Sequence, residues 1–304
     1  MLIAGLAVAL TLAQAPAQSR AEGAPRQTAP QTDETVAVQR GTRLVVNNFA
    51  GEVIVRTWDR DSLRVVARHQ PRTKVNIRPG SSSVSIESSG YMGPASVDYE
   101  ITAPAWMPMR IEGTYNFVTV EGAQAEVFAN TVRGDVIVKG GSGVVTAKSV
   151  EGEVQIDGAR GKMTASSVNE RVRITDSSGD IVAESVNGGI TLTGIDSKSV
   201  EVTTVNGTII YEGKIADGGH YSFNTHNGDI ALGLADNPNA TFTIRTYQGG
   251  VSSDFPLEGY NPREARRGRR ITATAGSGSA DVSLETFGGS IRLRKGSAAR
   301  TRGR

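Results

Sequence analysis

Only three side chains in this 304-residue chain, His69, His220 and His226, offer an imidazole base, and no cysteine offers a thiolate. A nucleophilic triad needs a histidine beside a serine or cysteine. His69 falls at a strand end, and His220 and His226 share one repeat, where His226 occupies a column that is apolar in the other copies. A packed histidine is expected there, not a metal ligand. Carboxylates are the other candidates, because polysaccharide-cleaving β-helices work with acidic groups on an outward face. Asp135, Glu153, Glu184, Glu201, Asp229 and Glu285 all fall at outward positions. Glycoside hydrolysis requires two carboxyl groups at a fixed separation, and Asp135 stacked above Glu153 would form such a pair. The six scatter over different columns and alternate with Lys148, Arg171 and Arg245, as solubility alone requires. The integrin-type tripeptide Arg133-Gly134-Asp135 falls on a turn that also carries Glu151-Gly152-Glu153 and Asn187-Gly188-Gly189, so it reads as a turn. No catalytic residue, metal site or cofactor is expected, and the chain reads as non-enzymatic.

Charge supplies the binding candidate. The formal net charge is +2, but the segment from Pro262 onward carries +8 against −6 for the rest. Arg263, Arg266, Arg267, Arg269 and Arg270 lie in one short stretch, and a second basic run covers the C-terminal end. Such clusters attract anionic polymers or phospholipid head groups. The expected partners are envelope polysaccharide, anionic lipid or another envelope protein, with no specific nucleic acid.

The scaffold follows from glycine and from periodicity. Glycine, 36 of 304 residues, is in excess without a collagen period, and that surplus means many tight turns. Taking the third residue of a Val-x-Gly turn as anchor gives Gly134, Gly152, Glu170, Gly188, Gly207, Gly228, Gly249 and Gly289, at intervals of 18, 18, 18, 19, 21, 21 and 40. Seven and five residues before the anchor every copy is apolar, as in Val145 and Ala147 or Tyr221 and Phe223, and two after it stand Val136, Val154, Val172, Ile190, Ile209, Ile230, Val251 and Ile291. Alternation on both sides of a turn means two short strands per repeat, each with one buried face. Three before the anchor there is always a hydroxyl, from Thr131 and Ser149 to Thr246 and Thr286, and the next residue is apolar (Val132 to Val205, then His226, Tyr247, Phe287). Read as two consecutive inward positions, the two columns mark a bend at which the hydroxyl bonds backbone. A unit of this size cannot bury its face alone, so successive repeats must stack.

The expected fold is therefore all-β: a β-solenoid, or β-helix, of about eight 18–21-residue coils, with a β-sheet-rich N-terminal cap. Residues 1–17 read as a signal peptide, because the apolar run Leu2–Ala13 is followed by Ala15-Pro16-Ala17, although no basic residue precedes it. Residues 18–35 read as a flexible linker, 36–112 as the cap, 113–294 as the solenoid with a basic loop insertion at 254–275, and 295–304 as a disordered basic tail. Lengthening repeats and larger inward side chains predict a rod that widens toward its C-terminal end.

The stretches Asn47–Val55, Trp58-Asp59-Arg60-Asp61 and Val97–Pro104, followed by the Val-Asn-Gly turns at 186–188 and 205–207, resemble the bacterial "putative adhesin" family of β-strand-repeat proteins, a domain of unknown function similar to autotransporter adhesin heads. The resemblance covers roughly Val36 to Arg294. It implies an exported or envelope-associated β-solenoid without enzymatic activity, located in the periplasm, on the cell surface or outside the cell. The chain departs from the pattern at Glu170, where a turn glycine is expected, and in its arginine-rich insertion. Two other readings of the same repeat are a bactofilin-like scaffold that polymerises by stacking its ends and a carbohydrate-active β-helix enzyme.

Overall fold

The computed structural model of the chain describes residues 32–234, 238–261 and 270–296. Every regular element among them is a strand, and no helix is long and apolar enough to cross a membrane. The 16-residue β2 (Arg43–Trp58) follows β1 (Thr32–Ala37), and then come β3 (Ser62–His69), β4 (Lys74–Pro79), β5 (Ser83–Ser89), β6 (Val97–Pro104) and the long β7 (Met109–Ala123). Paired short strands succeed them: β8 (Val127–Asn130) with β9 (Val136–Gly140), β10 (Ser142–Ser149) with β11 (Val154–Asp157), β12 (Arg160–Ser167) with β13 (Val172–Thr175), and β14 (Ile181–Ser185) with β15 (Ile190–Ile195). The series continues through β16 (Ser199–Asn206) and β17 (Ile209–Gly213), β18 (His220–Asn227) and β19 (Ile230–Leu234), and β20 (Ala240–Thr246) and β21 (Val251–Ser253). It ends with β22 (Ile271–Ala275), β23 (Ala280–Thr286) and β24 (Ile291–Lys295).

Each strand pair is one rung, and rungs stack in parallel with equivalent residues aligned: Val145 beside Val127 and Met163, Ile156 beside Val138 and Ile174. The inward columns form one continuous core in which Ile156, Met163, Tyr211, Phe223 and Phe242 are fully buried. Each buried large side chain contributes roughly 1.5–3 kcal/mol relative to exposure, and no rung could gather that stabilisation without its neighbours. Where the repeat lengthens, aromatic rings fill the core: Tyr211 meets Phe223 edge-on at 5.3 Å and Tyr221 at 6.2 Å.

Stacking does not follow chain order at either end. β18 and β19 pair with β23 and β24, not with β20 and β21, and the β20/β21 rung stacks outside β23/β24. The repeat spacing had implied sequential stacking. Composition explains the exchange: Ile291 and Leu293 of β24 are both buried, whereas β21 reads Val-Ser-Ser and its Val251 is only half-buried. The rung with the poorer apolar face takes the end, where β21 has β24 as its one paired strand. At the other end β2 lies between β7 on one side and β5 and β6 on the other, all in parallel register.

This changes the expected boundaries. Residues 36–112 do not make a separate cap sheet, because β2 and β5/β6 continue the parallel ladder and β7 runs across position 112. Leu44, Val46, Val53 and Val55 of β2 are as deeply buried as any repeat residue. Strands of opposite sense lie outside the ladder: β3 on β6, β1 on β3, β4 on β5 and, from within the 254–275 insertion, β22 on β20. The expected linker stops short of position 35, since β1 begins at Thr32. The signal-like segment, the rest of that linker and most of the basic tail lie outside the described residues.

Candidate binding surface

The corner of each rung is built by the hydroxyl column. Ser149, Ser167, Ser185, Thr204 and Thr225 are buried, and each donates its hydroxyl to the anchor carbonyl of the rung below, at 2.9–3.1 Å. Ser185 also accepts the Gly188 N–H at 3.0 Å, closing the turn from within. Anchors are glycine because rungs touch there. A Cβ on Gly188 would sit 1.9 Å from the Glu170 carbonyl oxygen, and one on Gly134, at φ 118°, would sit 2.2 Å from that of Asn116. In β7 the hydroxyl position is Gly113, and the Asn116 side chain takes its place. Asn116 Nδ2 donates to Asn48 O at 2.8 Å, and Asn48 Nδ2 donates to Asn116 Oδ1 at 2.7 Å. The hydroxyl ladder is thus structural, and none of its oxygens faces solvent.

The apolar column after it does not point inward as expected. Phe49, Val132, Val150, Val186, Val205, Tyr247 and Phe287 are between 39% and 46% exposed. A hydroxyl turned into the corner leaves the next two residues on the convex side, so the alternation breaks outward. His226 is exposed as well, stacked on Phe287 with ring centroids 4.9 Å apart and planes 8° apart. Each end of the column carries an aromatic cluster: Phe49 meets Tyr115 at 5.4 Å, with Arg133 over the Tyr115 ring, and Tyr247 meets Phe287 at 5.2 Å, with Arg245 over the Tyr247 ring at 4.6 Å. Beside the valines runs an amide ladder, in which Asn187 donates to Asn169, Asn206 to Asn187 and Asn227 to Asn206, at 2.9–3.0 Å. Its signal in the sequence was the asparagine just before four successive anchors, at Asn169, Asn187, Asn206 and Asn227.

Four of the six outward carboxylates, Asp135, Glu153, Asp229 and Glu285, are already engaged. Asp135 Oδ1 accepts the Glu153 N–H at 2.8 Å, and Glu153 faces Arg171 and Arg173 at 3.6 and 3.5 Å. Asp229 accepts from Ser290 N–H at 2.8 Å and from Arg292 at 2.9 Å, which together hold its carboxyl below the usual range. Glu285 faces Arg245 at 3.5 Å. Arg133 of the tripeptide is spent on Glu151 at 2.6 Å. Burial pushes the Tyr99 phenol up to about 12 and Tyr211 above its ordinary value, so both stay protonated in the core. Among the described residues no group of three or more histidine, aspartate or glutamate side chains could hold a metal ion.

Of the expected anion-binding set, Arg263, Arg266, Arg267 and Arg269 lie outside the described residues. Arg270 is exposed and lines a shallow groove of about 430 Å³ over β16, β18, β20 and β23. Glu201, His220 and Asp281 line the same groove, with His220 Nδ1 3.4 Å from Asp281. Two carboxylates in so small a space do not make an anion site of that groove.

Parallel two-strand rungs stacked on one continuous apolar core define a β-helix-like solenoid. The chain belongs to the Toastrack DUF4097 family, whose model matches residues 75–294, more than half of its length. This agrees with the resemblance to an adhesin-like domain of unknown function, although the match begins after the Asn47–Val55 stretch. No curated protein matches. Among solved structures, a "putative cell adhesion protein" from Clostridium sporogenes is similar at 12% identity, covering 87% of this chain and 99% of that one with a TM-score of 0.20, too low to carry an argument.

Proposed function

We propose that this chain is a non-enzymatic, exported module of the cell envelope that binds partners through the sides of its solenoid, in the manner of an adhesin. The observation that carries the reading is the treatment of the two ends. Strands of opposite sense lie over β6, β5 and β20, acting as caps that cover the parallel edges on which another coil would stack. Tyr260 adds to the cover by donating its hydroxyl to Val251 O of β21 at 2.7 Å. An end-stacking, bactofilin-like scaffold would need those edges open, and a carbohydrate-active enzyme would need the Asp135–Glu153 pair free of its backbone and arginine partners. The signal-like Leu2–Ala17 segment supports export to the periplasm, the cell surface or the medium.

The arginine segment 263–270 supplies attraction to an anionic envelope surface. Purified protein is expected to co-sediment with isolated envelopes in a salt-sensitive way, and a variant with the five arginines changed to serine is expected to lose most of that binding. Equal binding by parent and variant would remove the arginine segment from the account, and recovery of the protein solely from the cytoplasm would remove export.

A further inference from the structure

We propose that the turn between β5 and β6 is a membrane-docking tip, which inserts Tyr91 and Met92 into the interface of a bilayer with anionic head groups. The inference concerns a surface separate from the arginine segment and stands without it. Tyr91 is 78% and Met92 92% exposed, the highest values of any large apolar side chain among the described residues. Single exposed apolar residues are ordinary on a protein surface, but this pair is held out by the backbone around it. A Cβ on Gly90 would sit 2.5 Å from the Gly93 carbonyl oxygen, and Gly93 itself has φ 149°, so two glycines close the turn with Tyr91 and Met92 at its apex. Ala95 is buried and fastens the far side. From Gly90 to Ala95 the Tyr91 hydroxyl is the one polar side-chain group.

The charge beside the tip selects its occupant. The Arg72 guanidinium, from the turn between β3 and β4, lies over the Tyr91 ring at 5.8 Å. Lys74 is exposed at the start of β4, in register with Ser89. Neither turn, residues 69–74 or 88–96, contains an aspartate or glutamate. The nearest carboxylates along the chain, Glu87 and Asp98, stand within strands, where Glu87 faces Arg78 at 3.5 Å and Asp98 accepts the Glu52 N–H at 2.9 Å. A two-residue apex offers far less than the roughly 800 Å² per partner of a standard protein interface, whereas a bilayer takes up an apolar side chain without needing a matching shape. Tyrosine and arginine suit the head-group level, with their apolar parts toward the acyl chains and their polar ends in water. Each cation near an anionic surface adds attraction. One short tip gives reversible binding, as a single membrane signal does.

Co-sedimentation of the full chain with vesicles of phosphatidylethanolamine and phosphatidylglycerol tests the proposal. The Tyr91→Ser/Met92→Ser variant should bind about tenfold more weakly than the parent, because two apolar groups no longer leave water, while unfolding at the same temperature. Both proteins keep the N-terminal apolar segment and the arginine segment, so the difference belongs to the tip. Since the chain has no cysteine, an environment-sensitive fluorophore attached through Met92→Cys reads insertion directly. Its emission should shift to the blue when the vesicles are added, and that of the same label at Lys162→Cys, on the outward face of β12, should not. A double variant that binds like the parent, or a label at position 92 that vesicles leave unchanged, would overturn the proposal and leave a protein partner as the occupant of the tip.

Discussion

Thr286 donates its hydroxyl to the Gly228 carbonyl at 2.9 Å, across 58 residues of chain, while the rung anchored at Gly249 lies outside both. That one bond repeats the corner geometry of the regular rungs and fixes the exchanged order of the last two. Its removal leaves a buried carbonyl without its partner, at about 1–3 kcal/mol. Thr286→Val, which keeps the shape, should lower the denaturant midpoint accordingly without changing the slope of the transition. Thr272→Val, on the exposed side of β22, should leave the midpoint unchanged.

Anchor glycines are required by contact between rungs. A Cβ on Gly289 would lie 1.8 Å from Gly228 O, a backbone atom that cannot move without parting β19 from β24, whereas one on Gly250 would meet nothing within 4 Å. Gly289→Ala should therefore cost more than about 2 kcal/mol, in the range of mutations that strain a packed backbone. Gly250→Ala should be neutral or slightly stabilising. Chemical denaturation of the two variants side by side checks the contrast.

Asp176 stands at φ 46°, the single non-glycine residue with positive φ among the described residues, in a column where Gly158 and Gly194 have φ 67° and 68°. A left-handed backbone costs a side-chain-bearing residue roughly 1 kcal/mol. Asp176→Gly should recover part of that, raising the midpoint of thermal unfolding by a few degrees.

The Asp229 carboxylate, lowered first by the Ser290 N–H and then by Arg292, ties β19 to β24. A depressed carboxyl adds stability above its unfolded value of about 3.9 and loses it as pH falls through the lower folded value. Asp229→Asn should therefore be less stable than the parent at neutral pH, by no more than about 1 kcal/mol for so exposed a group. The gap should close on acidification below pH of about 4. Urea titrations at neutral and acidic pH measure both ends of that window.

Much of the fold was legible because two-residue alternation and an 18-residue spacing are local properties. The inward columns from Val127 to Leu284 were readable one by one, and every member but Val251 is buried. Stacking order was not, since spacing along a chain says nothing about which rung neighbours which. The clue lay in Val251-Ser252-Ser253, too polar for an interior rung. The corner column misled because Val150 and Val186 are apolar, and an apolar residue beside a turn looks inward until the buried hydroxyl before it is seen to fill the corner. The arginine cluster was plain from charge alone, whereas the exposed corner column and its amide ladder emerge only when rungs are placed above one another.

The account rests on the exchanged rung order, which closes the C-terminal end, and paired cysteines test it directly. Ser222 is in register with Ser283, and Ser283 with Thr243, so Ser222 and Thr243 are two rungs apart, about 9.6 Å at the spacing of adjacent strands. Disulfides require Cα atoms within roughly 7 Å. On mild oxidation the Ser222→Cys/Ser283→Cys variant should cross-link within one chain, and Ser222→Cys/Thr243→Cys should not. The reverse pattern would mean that rungs stack in chain order and would contradict the account.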